Sequence, residues 1–185
     1  MIASGGSFLS LRVRGSNLAE VTPHLEAPRN DRSADQTATD LAARRYPERP
    51  IVGVLAVVLR GDRALVVRRA NPPLAGRWGF PGGVLELGET VAEGAMRELF
   101  EETGVVAEPA GTLTAIDSID RDDEGRVRYH YTLIAVRGIW RSGEGIAGDD
   151  ADEAAWLSRA EIVDQGLPTT PALLPLIDLA LTARG

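Results

Sequence analysis

Cysteine and lysine are both absent from this sequence, and histidine occurs only twice, at His24 and His130. Without cysteine there is no disulfide framework, no Cys-ligated zinc and no thiol nucleophile. Without lysine there is no Schiff base and no Walker-type phosphate loop. Two histidines far apart in sequence do not build a His-rich metal cage. No apolar run reaches the ~18–20 residues that span a bilayer. The N-terminus lacks the charged-then-apolar pattern of a secretory signal, so the cytoplasm is the expected compartment. Chemistry is left to carboxylates, arginines, hydroxyls and backbone.

What is present is a chain of 185 residues with a net charge of −7. That balance disfavours a nucleic-acid or membrane-surface binder, which needs a basic patch. It suits a protein that holds divalent cations. At 44% apolar and 25% charged, the composition is that of an ordinary globular domain. The length allows one domain, or one domain and a tail.

Residues 1–48 carry no sustained apolar period, and polar and breaker residues dominate Pro28 to Thr39. This stretch reads as a flexible N-terminal tail, with the domain over 49–185. From Ile51 to Leu59 a continuous β-rich apolar run predicts a strand covered on both faces. Arg60 to Arg63 is a turn and Ala64 to Arg69 a second strand, so the two form a hairpin. A loop over Asn71 to Arg77 leads into Trp78-Gly-Phe-Pro-Gly-Gly-Val84.

A helix over Val91–Thr103 follows. Thr90 and Glu93 make a capping box, Gly104 sits at the C-cap, and Ala92, Ala95, Met96 and Leu99 form the apolar stripe. Strands are predicted near Gly111–Ile119 and Arg126–Arg137 around the turn Asp122–Gly125. A short strand near Ala154–Leu157 precedes a second capping box, Ser158 with Glu161. Thr170-Pro171 is expected to open the last helix, with Leu173, Leu174, Ile177 and Leu181 as its buried stripe. The pattern predicts an α/β fold, helices packed on a sheet.

The central helix carries Glu98, Glu101 and Glu102 on one face. Like charges at that spacing repel, and the helix macrodipole disfavours them near its C-terminal end. Stability alone does not account for the cluster, whereas divalent cations would: Mg²⁺ takes hard oxygen ligands and bridges carboxylates to phosphates. Arg97 can offset part of the repulsion through an i, i+4 pair with Glu101. The wider pattern is Gly83, five residues, Glu89, seven residues, then Arg97-Glu-Leu-Phe-Glu-Glu-Thr-Gly-Val105.

This segment resembles an intact Nudix box, G-x5-E-x7-R-E-U-x-E-E-x-G-U with U aliphatic, at every fixed position. The likeness to Nudix hydrolases extends from about Arg49 to the last helix and leaves residues 1–48 outside it. It implies an α/β/α sandwich with a mixed sheet, and hydrolysis of a diphosphate linked to another group with Mg²⁺ or Mn²⁺. It further implies Glu98, Glu101, Glu102 and the Gly83 carbonyl as metal ligands, with Glu98 a candidate to act on the water. Arg97 would orient the glutamates, and Glu89 would brace the loop against the helix.

The family often draws a general base from a loop past the box. Here Glu153 is the first candidate and Asp150 the second, against the alternative of a solvated acidic loop. Arg68, Arg69 and Arg77 are candidate phosphate contacts, because guanidinium forks match phosphate oxygens. Adjacent strand residues face opposite ways, so at most one of Arg68 and Arg69 enters a site. Trp78 and Phe80 are expected as core or wall rather than base-stacking groups, and His130 as a surface or satisfied histidine.

Arg49-Pro-Ile-Val-Gly-Val and Arg128-Tyr-His-Tyr-Thr-Leu-Ile134 resemble ADP-ribose pyrophosphatases, although Asp120 stands where some of them carry proline. The expected substrate is a nucleoside diphosphate-linked small molecule, ADP-ribose or a nucleotide sugar first. A nucleoside triphosphate is the alternative, and a non-catalytic ligand-binding module the rival. A homodimer is compatible with either.

Overall fold

The computed structural model describes residues 42–148 and 151–183. Strand β1 (Ile51–Arg60) turns through Gly61 into β2 (Arg63–Arg69). Two short strands follow, β3 (Trp78–Gly79) and β4 (Gly82–Val84), and then helix α1 (Val91–Thr103). The long strands β5 (Val106–Arg121) and β6 (Val127–Ser142) lead to β7 (Ala151–Ser158) and the short helix α2 (Arg159–Asp164). Helix α3 (Leu173–Thr182) ends the described chain.

The sheet is mixed. Its order is β3-β2-β1-β6-β5, with β4 added to β1 and β7 added to β2. β1 runs parallel to β6 and antiparallel to β4. Because side chains alternate along a strand, the apolar run of β1 serves two cores. Val54, Ala56 and Val58 pack with Ala95 and Leu99 of α1. Leu55 and Val57 pack with Ile162, Leu173 and Ile177 of α2 and α3. The outcome is the expected α/β/α layering, with β1 covered on both faces. Among the described residues no helix is long and apolar enough to cross a membrane.

Three of the differences from expectation have a clear physical cause. β5 begins at Val106 rather than near Gly111, although it contains Pro109 and a left-handed Gly111. Irregularities in its pairing with β6 between Pro109 and Thr114 absorb both residues, as an edge strand can. The last helix starts at Leu173, not at Thr170-Pro171. Trp78 donates its N–H to the Pro168 carbonyl and accepts from Thr170 N–H, each at 2.8 Å, so the backbone there is paired with β3 instead. The buried stripe of α3 is accordingly Leu173, Leu176, Ile177 and Ala180, while Leu174 and Leu181 flank it half-buried.

Third, the residues just before β1 are anchored. Tyr46 N–H donates to the Arg128 carbonyl at 2.8 Å, and its hydroxyl donates to Asp122 Oδ2 at 2.9 Å. The Arg126 guanidinium lies over the Tyr46 ring, 5.0 Å from its centre. The end of the stretch read as a tail is thus attached to the β5–β6 turn. Residues 1–41 lie outside the described residues.

Candidate active site

Helix α1 is held at both ends. At its start, Thr90 Oγ1 accepts from Glu93 N–H while the Glu93 carboxylate accepts from Thr90 N–H, completing the capping box. At its end, Gly104 takes the left-handed conformation and its N–H donates to the Phe100 carbonyl. No basic residue stands in the last turn. Instead the following loop returns: Ile146 N–H donates to the Thr103 carbonyl at 3.0 Å and Gly148 N–H to the Glu102 carbonyl at 2.8 Å. Backbone donors thus satisfy carbonyls that a helix terminus leaves open, beside Glu101 and Glu102.

The face of α1 that carries the glutamates lies against β4. The Glu98 carboxylate occupies the space that a Cβ at Gly83 would fill, with Oε1 only 2.3 Å from that position. Gly82 N–H donates to Glu102 Oε2 at 3.1 Å. The two glycines therefore allow the carboxylates to approach the strand backbone.

Arg97 organises the rest. Its Nε donates to Glu89 Oε1 at 2.6 Å and its Nη2 to Glu89 Oε2 at 3.1 Å, a two-pronged pair. Nη1 donates to Glu98 Oε1 at 2.8 Å and to Glu101 Oε2 at 3.0 Å. Nη2 also reaches the Val84 carbonyl. Fork geometry of this kind belongs to arginine, not lysine. The hydrogen bonds from Arg97 hold the Glu89 carboxyl below its usual range. The bond to Glu89, aided by Glu98 and Glu101, raises the guanidinium against the opposing effect of burial.

Glu98 and Glu101 are largely but not wholly buried, with 15% and 23% of their side chains exposed, so solvent still reaches them. Among the described residues no three acidic or histidine side chains form a ready ligand shell; Arg97 bridges Glu98 and Glu101. The donor set is nonetheless all hard oxygen, and the cradle at Gly83 brings a carboxylate beside the β4 backbone. That chemistry fits Mg²⁺ or Mn²⁺.

A cavity of about 310 Å³ opens next to this face, large enough for part of a small-molecule ligand. Gly82, Gly83 and Phe80 form its floor on the box side, and Arg69, Tyr131 and Asp120 belong to its walls. Arg69 is the one of the two adjacent arginines that lines it; its Nε donates to the Pro73 carbonyl at 3.3 Å. Arg68 faces elsewhere, paired with Glu153 at 3.1 Å. Arg77 donates to the Thr169 carbonyl at 3.1 Å and does not line the cavity.

The candidate base Glu153 is not brought to the box. It stands opposite Arg68 in the β2–β7 pairing. Its strand neighbours alternate: Trp156 packs in the α1-side core, Ala155 and Leu157 in the α3-side core. Glu153 shares the parity of Ala155 and Leu157, and so the face away from α1. Asp150 lies outside the described residues. Trp78 and Phe80 are buried in the α3-side core, Phe80 also reaching the cavity. Tyr131, Asp117 and Asp120 also line the cavity, although no site role was expected of them. The alternation of β6 and the acidic positions of β5 are the signals that point to them.

Comparison with known proteins identifies the family. The family model for the NUDIX domain matches residues 49–177. A Methanocaldococcus jannaschii protein named ADP-ribose pyrophosphatase is 38% identical over 115 residues, covering 62% of this chain and 66% of that protein. The human 8-oxo-dGDP phosphatase NUDT18 is 32% identical over 135 residues, 71% of this chain but only 39% of its own length. The chain thus spans less than two thirds of either relative. The crystal structure of a MutT NUDIX hydrolase from Burkholderia pseudomallei superposes with a TM-score of 0.62 at 29% identity, covering 71% of this chain and 98% of that one.

Proposed function

This chain belongs to the Nudix hydrolase family, and from that premise we propose that it is a metal-dependent pyrophosphohydrolase acting on a nucleoside diphosphate derivative, ADP-ribose first. The observation that carries the reading is one arrangement. The Glu98 carboxylate, bonded to Arg97, lodges against Gly83 at the edge of a cavity that Arg69 also lines.

A diphosphate is anionic, so attack by another oxygen is electrostatically uphill. Glu98, Glu101, Glu102 and the Gly83 carbonyl would hold Mg²⁺ or Mn²⁺, which when bound neutralises the diphosphate and makes the attacking water more acidic. Arg97 acts as a positioning residue, holding Glu98 and Glu101 in fixed rotamers. Glu98 takes the water's proton; its place at Gly83 favours it for that role over Glu153, which pairs with Arg68. Arg69 is the arginine we assign to a phosphate oxygen of the ligand. Cleavage between the two phosphorus atoms of ADP-ribose releases AMP and ribose 5-phosphate. A nucleotide substrate implies a cytoplasmic location.

The similarity to an ADP-ribose pyrophosphatase supports the first substrate class, and that to an 8-oxo-dGDP phosphatase supports a second, a free nucleotide. A panel of both classes with Mg²⁺ or Mn²⁺ separates them. Release of AMP from ADP-ribose at a higher kcat/KM than any free nucleotide is expected. No turnover across the panel would favour a ligand-binding module.

A further inference from the structure

Trp140 and Trp156 spend their indole N–H groups on one loop. Trp140, in β6, donates Nε1 to the Gly143 carbonyl at 3.0 Å, and Trp156, in β7, donates to the next carbonyl, that of Glu144, at 2.7 Å. An indole has a single donor, so each ring is committed to the β6–β7 loop. The Arg60 guanidinium lies over both rings, 4.5 Å from the centre of Trp140 and 5.1 Å from that of Trp156. Its Nη1 also donates to Glu144 Oε2 at 3.2 Å. Arg60 continues the face of β1 on which Val54, Ala56 and Val58 pack with α1 and with both indoles.

The loop held in this way carries donors to the end of α1. Ile146 N–H reaches the Thr103 carbonyl at 3.0 Å and Gly148 N–H the Glu102 carbonyl at 2.8 Å. The fit is close along the loop. A Cβ at Gly143 would lie 2.7 Å from the Gly104 carbonyl oxygen, one at Gly145 3.2 Å from Trp156 Nε1, and one at Gly148 2.3 Å from the Glu101 carbonyl oxygen. Glu101 and Glu102 stand in the last turn of the helix, and helix ends fray. Arg97 holds the carboxylates of Glu98 and Glu101 from the side. The loop holds the backbone from which Glu101 and Glu102 project.

We propose that Arg60, Trp140 and Trp156 are positioning residues for the divalent cation: they fix the β6–β7 loop, whose N–H groups keep the last turn of α1, and with it Glu101 and Glu102, in place to bind the ion. The inference rests on the reading of those glutamates as metal ligands. It gives a role in the site to three residues that lie outside the segment Gly83 to Val105.

The test is amide hydrogen exchange of the full chain, followed by NMR, beside calorimetric titration with Mn²⁺ alone and the Mg²⁺ dependence of ADP-ribose turnover. Trp156→Phe keeps an aromatic ring and removes the donor. It should speed exchange of the Ile146 and Gly148 amides about fivefold to tenfold, as the loss of one hydrogen bond does, and weaken Mn²⁺ binding in the same range. The Mg²⁺ concentration for half-maximal rate should rise in step, while kcat at saturating Mg²⁺ stays within about twofold. Trp140→Phe and Arg60→Met should act in the same direction. Arg60→Lys should restore part of the Arg60 effect, because an ammonium also sits on indole faces. Ile177→Val, in the core under α3, is the control for stability: it should lower the melting temperature and leave both amides and the Mn²⁺ affinity unchanged.

Unaltered exchange of Ile146 and Gly148 in Trp156→Phe would overturn the inference, as would faster exchange with unchanged Mn²⁺ affinity. An equal loss of Mn²⁺ affinity in Ile177→Val would reduce the effect to stability and overturn it too. Wild-type turnover of ADP-ribose beside any of these results would leave the proposed function standing alone. Mn²⁺ affinity that depends on Trp156, without turnover of any substrate, would do the reverse.

Discussion

The carboxylate of Glu98 fills the space where Gly83 lacks a side chain: a methyl group on Gly83 would lie 2.3 Å from Glu98 Oε1 and 2.4 Å from Cδ. The glycine is needed for space, not for backbone freedom. Gly83→Ala should therefore displace Glu98 and, with it, the bond to Arg97 Nη1 at 2.8 Å. Overpacking typically costs about 1–3 kcal/mol, so the variant should still fold. Its turnover should fall by orders of magnitude. Circular dichroism and thermal melting would check the fold, and initial rates with Mg²⁺ the activity. Near wild-type turnover would remove Gly83 from the site.

Much of this centre was legible because it is local. The capping box of Thr90 and Glu93, the Gly104 C-cap and the spacing of Glu98, Glu101 and Glu102 all lie within one helix, where 3.6-residue geometry turns spacing into position. Glu153 was not legible in the same way. Its direction depends on the β2–β7 register, which pairs it with Arg68. Tyr46 shows the same limit. Its partner Asp122 is 76 residues away, and no local pattern marks a tyrosine in a polar stretch as anchored. The late start of α3 is a third case, decided by backbone bonds between Trp78 and Pro168 to Thr170.

The pair Glu89–Arg97 links the brace of the site to pH. Glu89 titrates below the usual carboxylate value of 4.5, mainly through the hydrogen bonds from Arg97. A carboxyl lowered on folding stabilises the native state fully above its unfolded pKa. That contribution is lost as pH falls through the folded value. Glu93 is lowered in the same sense by Thr90. Melting temperature should be flat from pH 7 to about 5 with respect to these groups, then decline below about 4.5. Glu89→Gln should lower the melting temperature at pH 7 and flatten the acid decline. Equal slopes for wild type and variant would show that the Glu89 pairing does not contribute to acid stability.

Glu102 and Glu153 provide the sharpest contrast between carboxylates, because both are acidic and differ chiefly in where the fold puts them. Glu102 meets the Gly82 N–H at 3.1 Å beside the Glu98 cradle. Glu153 meets Arg68, on the strand face turned from α1. Glutamine keeps the size of either side chain and removes the charge. Glu102→Gln should cut turnover on the order of 10²–10³-fold and raise the Mg²⁺ concentration needed for half-maximal rate. Glu153→Gln should change kcat by about twofold or less and leave the Mg²⁺ requirement alone. Its salt bridge is exposed, and pairs of that kind contribute about 0–1 kcal/mol, so stability should change little too. Mg²⁺ titrations of initial rate on both variants decide the matter. A large loss in Glu153→Gln with a normal melting temperature would mean that β7 supplies the base after all, through a rearrangement on substrate binding. A normal Glu102→Gln enzyme would remove that residue from the ligand set.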